Sequence, residues 1–229
     1  DLIRLFVKRD FVAIYKQTIL GPIWYLARPL ITAFTYTVVF GYALKLDYGE
    51  IPRPVFFLAG IVPWSYFHTA VTSTSNSFIT NMSIFGKVYF PRLVIPISSI
   101  ISNLISFTIQ LCLFFIFVAY YIYAGYPVQV TQYAFLFPVL VLVMMSSAFG
   151  IGLLTASSSA KYRDLIYLIG FGISLMMYLT PVIYPLEMVP EQFREWMYLN
   201  PMTAVIEGTR LGFLGDSSFT WSMLGTGLI

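Results

Sequence analysis

Apolar and polar residues follow one another along this chain in long blocks. Five apolar runs are each long enough to cross a membrane as a helix, because a hydrocarbon core about 30 Å thick needs roughly 20 apolar residues per crossing. A sixth run begins near Phe219 and continues to the last residue, which indicates a truncated span. The pattern predicts a six-span bundle with crossings at 23–46, 54–78, 99–124, 133–157, 165–184 and from 219 onward.

Composition supports the same class of protein. Hydrophobic residues make up 59% of the chain and charged residues only 10%, with a mean hydropathy of +0.81, whereas a soluble domain has about 25% charged residues. We therefore predict an all-α integral membrane protein that forms one transmembrane domain over residues 1–229. Cys112 is the single cysteine, so neither an internal disulfide nor a cysteine-based metal site is expected.

The basic residues predict the orientation of the chain in the membrane. One set of connecting segments and span ends holds nine of them and the other set four, and the richer side faces the cytoplasm. We expect a cytoplasmic amino terminus and an outward-facing long connection at 185–218. The richer set comprises Arg4, Lys8, Arg9, Lys16, Arg28, Lys87, Arg92, Lys161 and Arg163.

Residues 1–22 precede the first predicted span and have the pattern of an imperfect amphipathic helix. Arg4, Lys8, Arg9 and Lys16 share one arc, and most of the opposite arc is apolar. Such a helix lies in the membrane interface, with its cations near anionic lipid headgroups. It serves as a surface anchor, as a docking surface for a partner, or as both.

Charged and titratable residues are rare inside the predicted spans. Arg28 lies near the cytoplasmic end of the first span, where its side chain can reach the interface or bind the anionic head of a substrate. His68 is interpreted as a packing residue, because the chain has no second histidine with which to share a metal ion. This scarcity argues against ion-coupled transport.

Two spans carry a polar stripe on one helical face. Such stripes avoid lipid, so the residues are expected to form interhelical hydrogen bonds or, less favoured for most positions, to line a pore. They are Ser65, Thr69, Thr72, Asn76 and Thr80 in the second span, and Ser99, Asn103, Ser106 and Gln110 in the third.

Aromatic residues form a further group within the spans. Their flat apolar faces and polar tips suit sugar rings that slide without tight binding, although core packing and interfacial belts are common uses of the same residues. We predict a substrate path lined by Arg28, Tyr36, Trp64, Tyr66, Tyr167, Phe171 and Tyr178.

No motif for chemistry or nucleotide binding is found in the sequence. The one Gly-Lys pair, Gly86 and Lys87, is followed by Val88 and lacks the upstream glycine of a phosphate-binding loop. We therefore expect a transport subunit without a cofactor or metal of its own, whose energy comes from another chain. Nothing indicates a nucleic-acid partner.

Five segments together resemble the ABC-2-type permeases, and specifically the branch that exports O antigen, capsule or teichoic acid chains. They occur in the family's order and cover nearly the whole chain. The segments are RDFVAIYKQTILGPIWYLARPL (9–30), NMSIFGKVYFPRLVIPISS (81–99), SSAKYRDL (158–165), TPVIYP (180–185) and NPMTAVIEGTRLGFLG (200–215).

The resemblance implies a homodimer in the bacterial inner membrane, surrounded by lipid and joined to two cytoplasmic ATPase subunits that bind ATP and Mg. The substrate would be a lipid-linked polysaccharide. Two rivals remain: a permease for drugs or small lipids, and a membrane-embedded glycan enzyme. The enzyme would need a carboxylate pair, such as Asp47 with Glu50 or Glu187 with Glu191.

The resemblance also assigns roles to two connecting segments. Residues 79–97 would form a coupling helix that docks on the ATPase and ends at Pro91 and Pro96. Residues 185–218 would form two re-entrant helices that act as an outer gate. A solvated loop at 185–218 would leave the gate residues exposed. The ATPase contacts are Ile84, Phe85, Lys87, Val88, Tyr89, Phe90, Arg92, Tyr162, Arg163 and Asp164, and the gate residues are Trp196, Tyr198, Leu211 and Phe213.

Overall fold

The computed structural model describes residues 2–15, 21, 23–85, 91–159, 162, 164–215 and 217–226. Within these residues every regular element is helical, which confirms the predicted all-α class. The α-helices are α1 (Leu2–Tyr15), α2 (Ile23–Tyr36), α3 (Arg53–Thr80), α4 (Met82–Phe85), α5 (Val94–Tyr123), α6 (Phe137–Ser159), α7 (Leu165–Met176), α8 (Glu191–Tyr198), α9 (Pro201–Leu214) and α10 (Trp221–Thr226).

Four described helices are long and apolar enough to cross a membrane, and they match the first four predicted spans. Shorter segments extend two of them: α2 continues as a π-helix through Thr37–Ala43, and a 3-10 turn at Gln132–Leu136 leads into α6. The four spans are Ile23–Ala43, Arg53–Thr80, Val94–Tyr123 and Gln132–Ser159.

The fifth and sixth predicted crossings are described over fewer helical residues than the sequence suggests. The fifth is α-helical only over α7, 12 residues long, and continues as turns. After α7 the amides of residues 178–180 bond three residues back, as in a tight turn, and Pro181 then stops any return to the helix because it lacks an amide donor and disfavours helical geometry in the residue before it. The sixth is described only as the six-residue helix α10.

Helix α3 is the centre of the bundle. In its most apolar stretch 78% of residues are buried, against 17% to 22% in the other three spans, as expected for a helix that is apolar all round. It packs against α2, α5, α6, α7 and α9. Gly152 allows the close approach of α6, since a Cβ there would lie 2.6 Å from Cβ of Thr74.

Helix α1 packs against the start of α5 and the end of α3. The side chain of Phe6, which belongs to α1, is buried, and the Arg9 side chain donates to Oδ1 of Asn81. The structure thus has a helix over Leu2–Tyr15 within the predicted segment 1–22, and its position defines the α1 end of the bundle. Because the spans alternate in direction, α4 lies at the same end, as do Tyr162 and Asp164, which follow α6.

Residues 44–52, 177–190, 215 and 217–220 lie at the opposite end, called here the loop end. Helix α9 ends there, with the backbone of Gly212 and Leu214 bonded to the connection between α5 and α6, and packs against α3 and α6. The side chain of Asn200 caps its first turn by accepting from the Met202 amide, Pro201 occupies the first helical position, and Gly215 ends the helix at a positive φ of 81°. Residues 202–210 are all buried, so this part of the long connection is not a solvated loop.

Candidate functional site

A polar cavity of about 430 Å³ lies between α2, α3 and α5 near the α1 end. We call it the central polar cavity. The two polar stripes predicted from the sequence meet here: Ser65, Thr69, Ser99, Asn103, Ser106 and Gln110 line it. Arg28, Tyr66, Ser73 and Ser102 complete most of its polar surface.

The hydroxyl groups of these stripes are mostly satisfied within their own helices. Thr69 donates to the carbonyl of Ser65, and Ser99 to that of Ile95. Among the hydrogen bonds described at the stripe positions, one joins two spans, from Nδ2 of Asn103 to Oγ of Ser73 over 2.8 Å. The stripes therefore line a cavity more than they bond the helices together, and the favoured interpretation from the sequence was wrong for most of these positions.

Two buried polar atoms on the cavity wall have no hydrogen-bond partner in the described part of the chain. They are Oε1 of Gln110 and Oγ of Ser102. An unsatisfied buried polar atom costs free energy, and native proteins satisfy nearly all of them. Each of these two side chains therefore carries an unused hydrogen-bonding atom beside the cavity.

Arg28 supplies positive charge near the mouth of the cavity. Its side chain is exposed and, among the described residues, has no carboxylate within salt-bridge distance. Asp10 also lines the cavity, but its Oδ1 already accepts two hydrogen bonds from Arg9. A hollow of about 470 Å³ shares Asp10, Ser73 and Ser99 with the cavity and extends it to Arg9 and Asn81. A polar groove thus leads from the α1 end towards Gln110.

The aromatic residues of the predicted path lie in three different places. Tyr66 lines the central polar cavity and donates to the carbonyl of Ile100, while Trp64 is buried in the core. Tyr36 packs against the same core, and its hydroxyl lies 3.9 Å from Sδ of Met177. Tyr167, Phe171 and Tyr178 lie on the outer surface, with exposures of 80%, 66% and 59%.

The predicted gate residues do not converge within one chain. Trp196 is exposed on α8, and Tyr198 packs against a small cluster that includes Leu186. The Phe213 ring packs against Phe114 and Phe115 of α5. Leu211 is half-buried, and its carbonyl accepts a hydrogen bond from Thr131.

The predicted ATPase contacts that the structure describes lie at the α1 end. Arg92, Tyr162 and Asp164 are exposed there, and the backbone of Ile84 and Phe85 belongs to α4. The third span begins at Val94, so Pro96 lies in the first turn of α5 and does not precede the span as expected. Proline is tolerated there because the first amides of a helix have no intrahelical acceptor. Lys87, Val88, Tyr89, Phe90 and Arg163 lie outside the described residues.

A buried ion pair at the loop end was missed by the sequence analysis. Nη1 of Arg210 donates to Oε1 of Glu207 over 2.8 Å, and both side chains are 2% exposed. Nη2 donates to the carbonyl of Val182, and the guanidinium lies 3.7 Å from the ring centroid of Phe56. Opposite charges three residues apart on an otherwise apolar helix were the available signal.

Burial changes the pKa values of titratable groups around this pair. Desolvation lowers the pKa of Arg210, and the charge and hydrogen bond of Glu207 oppose that shift. Desolvation raises the pKa of Tyr48 to about 12. Tyr48 therefore stays neutral at physiological pH and donates to the carbonyl of Ile183, tying residues 44–52 to the turn after α7.

Comparison with known proteins identifies the class to which this architecture belongs. The profile of the ABC-2 type transporter family matches residues 1–214. The chain therefore belongs to that family and is a multi-pass membrane protein and a transport subunit, as the sequence predicted. Membership also implies ATP-binding partner subunits.

Individual relatives narrow the comparison further. The chain is 30% identical to the O-antigen export system permease protein RfbA of Klebsiella pneumoniae over 95% of its own length and 82% of the relative. It is 24% identical to the polysialic acid transport protein KpsM of Escherichia coli, over 83% of its own length and 72% of the relative. It is 26% identical to the inner membrane transport permease YadH of Escherichia coli K12, over 90% of its own length and 78% of the relative.

Proposed function

We propose that this chain is the permease subunit of an ATP-driven exporter that moves a lipid-linked polysaccharide across the bacterial inner membrane. The central polar cavity is the observation that carries the proposal. A cavity of about 430 Å³ whose wall combines hydroxyl and amide groups with the rings of Trp24, Tyr25 and Phe107 suits a sugar chain better than a purely apolar cargo. The names of the O-antigen and polysialic acid relatives support the same substrate class.

The chemistry of the cavity suits a substrate with an anionic head and a hydroxylated chain. Arg28 provides a cation near the mouth, where a negatively charged head group can pair with it. Deeper in the cavity, the free oxygen of Gln110 accepts a hydrogen bond from a sugar hydroxyl. Hydroxyls that already bond their own helices add weak contacts, which permit movement where one strong site would hold the chain.

The transporter works as a homodimer of six-span subunits in this proposal. The exposed aromatic face of α7, formed by Tyr167, Phe171 and Tyr178, supports a path between the two copies. Large apolar side chains of α2 are exposed as well, including Ile31 and Phe34. A hydrated glycan cannot cross hydrocarbon, so a continuous channel between subunits is required.

Two cytoplasmic ATPase subunits bind ATP and Mg and drive the movement. Residues 79–97 dock on them through Ile84, Phe85, Val88, Tyr89 and Phe90, and 162–164 form a further contact. The amino terminus is cytoplasmic, which the basic residues near the α1 end support. Helix α1 lies in the membrane interface and contributes to the same docking surface.

The outer gate is formed by α8 and α9 as re-entrant helices. The burial of α9 against α3 and α6 supports this assignment, because irregular backbone is tolerated at membrane depth where it packs on protein. Trp196 and Tyr198 of α8 then meet their counterparts across the dimer.

Reconstitution with the partner ATPase tests the proposed substrate. Proteoliposomes receive either the lipid-linked polysaccharide or the same lipid carrier without sugar, and ATP hydrolysis and glycan translocation are measured. We expect hydrolysis to be stimulated by the glycan-bearing lipid and not by the carrier. Equal stimulation by the carrier or by a small amphipathic drug would instead favour the drug or small-lipid exporter.

A further inference from the structure

His68 is the only histidine in the sequence, and the structure places it in the middle part of α3. Most of this helix is buried, but the His68 side chain is only half-buried. Titratable side chains are rare inside membrane spans, and those that occur face the bundle interior or a water-filled space and mark functional positions. The packing role favoured from the sequence leaves the partial exposure of this ring unexplained.

The His68 ring is held by a serine of the neighbouring helix α7. Nε2 of His68 lies 3.4 Å from Oγ of Ser174. The Ser174 hydroxyl donates its one proton to the carbonyl of Gly170 over 2.8 Å, so towards the imidazole its oxygen acts as an acceptor. The neutral ring therefore carries its proton on Nε2, and the lone pair of Nδ1 is left as an acceptor.

Nδ1 of His68 is open to molecules outside the chain. Among the described residues, none forms a hydrogen bond with it. It is also not one of the fully buried side-chain atoms that lack a partner. An accessible lone pair that faced hydrocarbon would lose the hydrogen bond that water offers it. The position therefore suits a space that holds water or a hydroxylated ligand.

The histidine and serine lie within the aromatic stripe of α7. Ser174 is exposed, three residues after Phe171 and four before Tyr178, whose rings are exposed as well. Residues at these spacings share a helical face. Such rings pack on the apolar face of a sugar, while a nearby acceptor can bond one of its hydroxyls. A lipid tail or an apolar drug would use the rings alone.

We propose that Nδ1 of His68 accepts a hydrogen bond from a hydroxyl of each sugar that passes the α7 stripe. Ser174 is the positioning residue that fixes the orientation and tautomer of the ring. The inference rests on the proposed polysaccharide export, and it adds a residue that distinguishes hydroxylated cargo from apolar cargo. A site that bonds a substrate hydroxyl discriminates against molecules that lack it.

Export by proteoliposomes of the full transporter tests His68 with two variants. His68→Leu removes both ring nitrogens and should lower the export rate about five- to tenfold, at an unchanged or higher unfolding temperature. His68→Gln has an amide oxygen that can replace Nδ1 as acceptor, and it should retain at least about half of the wild-type rate. Wild-type export by His68→Leu, or a loss of both export and unfolding temperature in both variants, would overturn the inference.

A matched pair of variants tests the positioning residue. Ser174→Ala leaves Nδ1 in place but removes the bond that orients the ring, so export should fall about two- to threefold. Ser174→Thr keeps a hydroxyl and should restore the rate. Equal export by the alanine variant and the wild type would show that Ser174 does not position His68.

A second measurement needs no polysaccharide. In a Cys112→Ser background, His68→Cys is treated with a negatively charged methanethiosulfonate on the full transporter in nanodiscs without ATP, and the mass of the permease subunit is recorded. Leu142→Cys is the reference, because Leu142 is exposed on α6. Since thiolates form in water and not in apolar surroundings, we expect His68→Cys to react at least about tenfold faster. Equal rates would place position 68 against lipid or in packing and overturn the inference.

These outcomes separate the inference from the proposed function. A wild-type transporter that exports polysaccharide together with an equally active His68→Leu variant would refute the role of His68 alone. A wild-type transporter that exports no polysaccharide would refute the proposed function and, with it, the role of His68.

Discussion

Nη1 of Arg9 donates to Oδ1 of Asn81 over 3.1 Å and thereby joins α1 to the residue at which α3 ends. Asn81 is buried, and its amide nitrogen donates back to the carbonyl of Ser77. The amino-terminal helix and the segment leading into α4 are therefore fixed to one another. In the proposed transporter, a push on either would be transmitted to the end of the central span.

A double-mutant cycle on this pair tests the connection. Arg9→Ala, Asn81→Ala and the double variant should give an interaction free energy of about 0.5–1.5 kcal/mol in thermal unfolding. Lys8→Ala changes the exposed neighbour of Arg9 and combined with Asn81→Ala should be additive. Additivity for Arg9 and Asn81 as well would show that the hydrogen bond does not couple the two elements.

Two glycines of α6 provide a matched test of the helix packing. Gly152→Ala places a methyl group 2.6 Å from Cβ of Thr74 and should destabilise the protein by about 1–3 kcal/mol. Gly150→Ala meets nothing within 4 Å and should be neutral or stabilising, by up to about 1 kcal/mol. Thermal unfolding in detergent measures both, and equal effects of the two variants would contradict the packing of α6 on α3.

The buried pair of α9 predicts a strongly non-additive response. Arg210→Met leaves the Glu207 charge buried without its partner, which should cost about 3–5 kcal/mol of folding free energy. Glu207→Leu combined with Arg210→Met removes both charges and should recover most of that loss. Denaturation followed by intrinsic fluorescence gives the comparison. A double variant as unstable as Arg210→Met would show that the damage comes from lost packing and not from the unpaired charge.

Substitutions in the exposed aromatic stripe of α7 distinguish a role in the substrate path from ordinary packing. Replacing Tyr167, Phe171 and Tyr178 by alanine should lower polysaccharide export and admit an ion leak, because the rings fill space in the channel. Leucine at the same positions should restore the seal but still slow the glycan, since it lacks a flat ring face. Export and ion flux are measured on the same vesicles. Full export by the leucine variant would show that the stripe does not line the substrate path.

Hydropathy was sufficient to predict the first four spans, because the length of an apolar run is a local property of the sequence. The helices α8 and α9 were also predictable, since Asn200, Pro201 and Gly215 mark their boundaries. The fifth crossing was predicted too long because the apolar run continues through Pro181, where the helix cannot.

The residues that line each cavity could not be predicted from the sequence. Each polar stripe was visible, but whether Gln110 and Thr69 face one another depends on how α3 and α5 cross. Trp64 and Tyr66 could not be assigned to different surroundings, because the polar stripe of α3 begins only at Ser65 and residues 54–64 before it are apolar on all sides. Glu207 and Arg210 were counted as loop charges, since only the packing of α9 shows that they are buried.

The central claim is that the central polar cavity handles the polysaccharide, and Gln110→Leu tests it most directly. Its Oε1 has no partner in the described part of the chain, so leucine should leave stability unchanged or raise it. Thr108→Leu is the control, because Thr108 is exposed on the same helix and outside the cavity.

The deciding measurement is the rate of ATP-driven polysaccharide export by Gln110→Leu proteoliposomes, taken together with the unfolding temperature of the same preparation. We expect export to fall about five- to tenfold relative to Thr108→Leu, with no loss of unfolding temperature. Export equal to that of Thr108→Leu in a Gln110→Leu protein of unchanged stability would contradict the assignment of this cavity to the substrate.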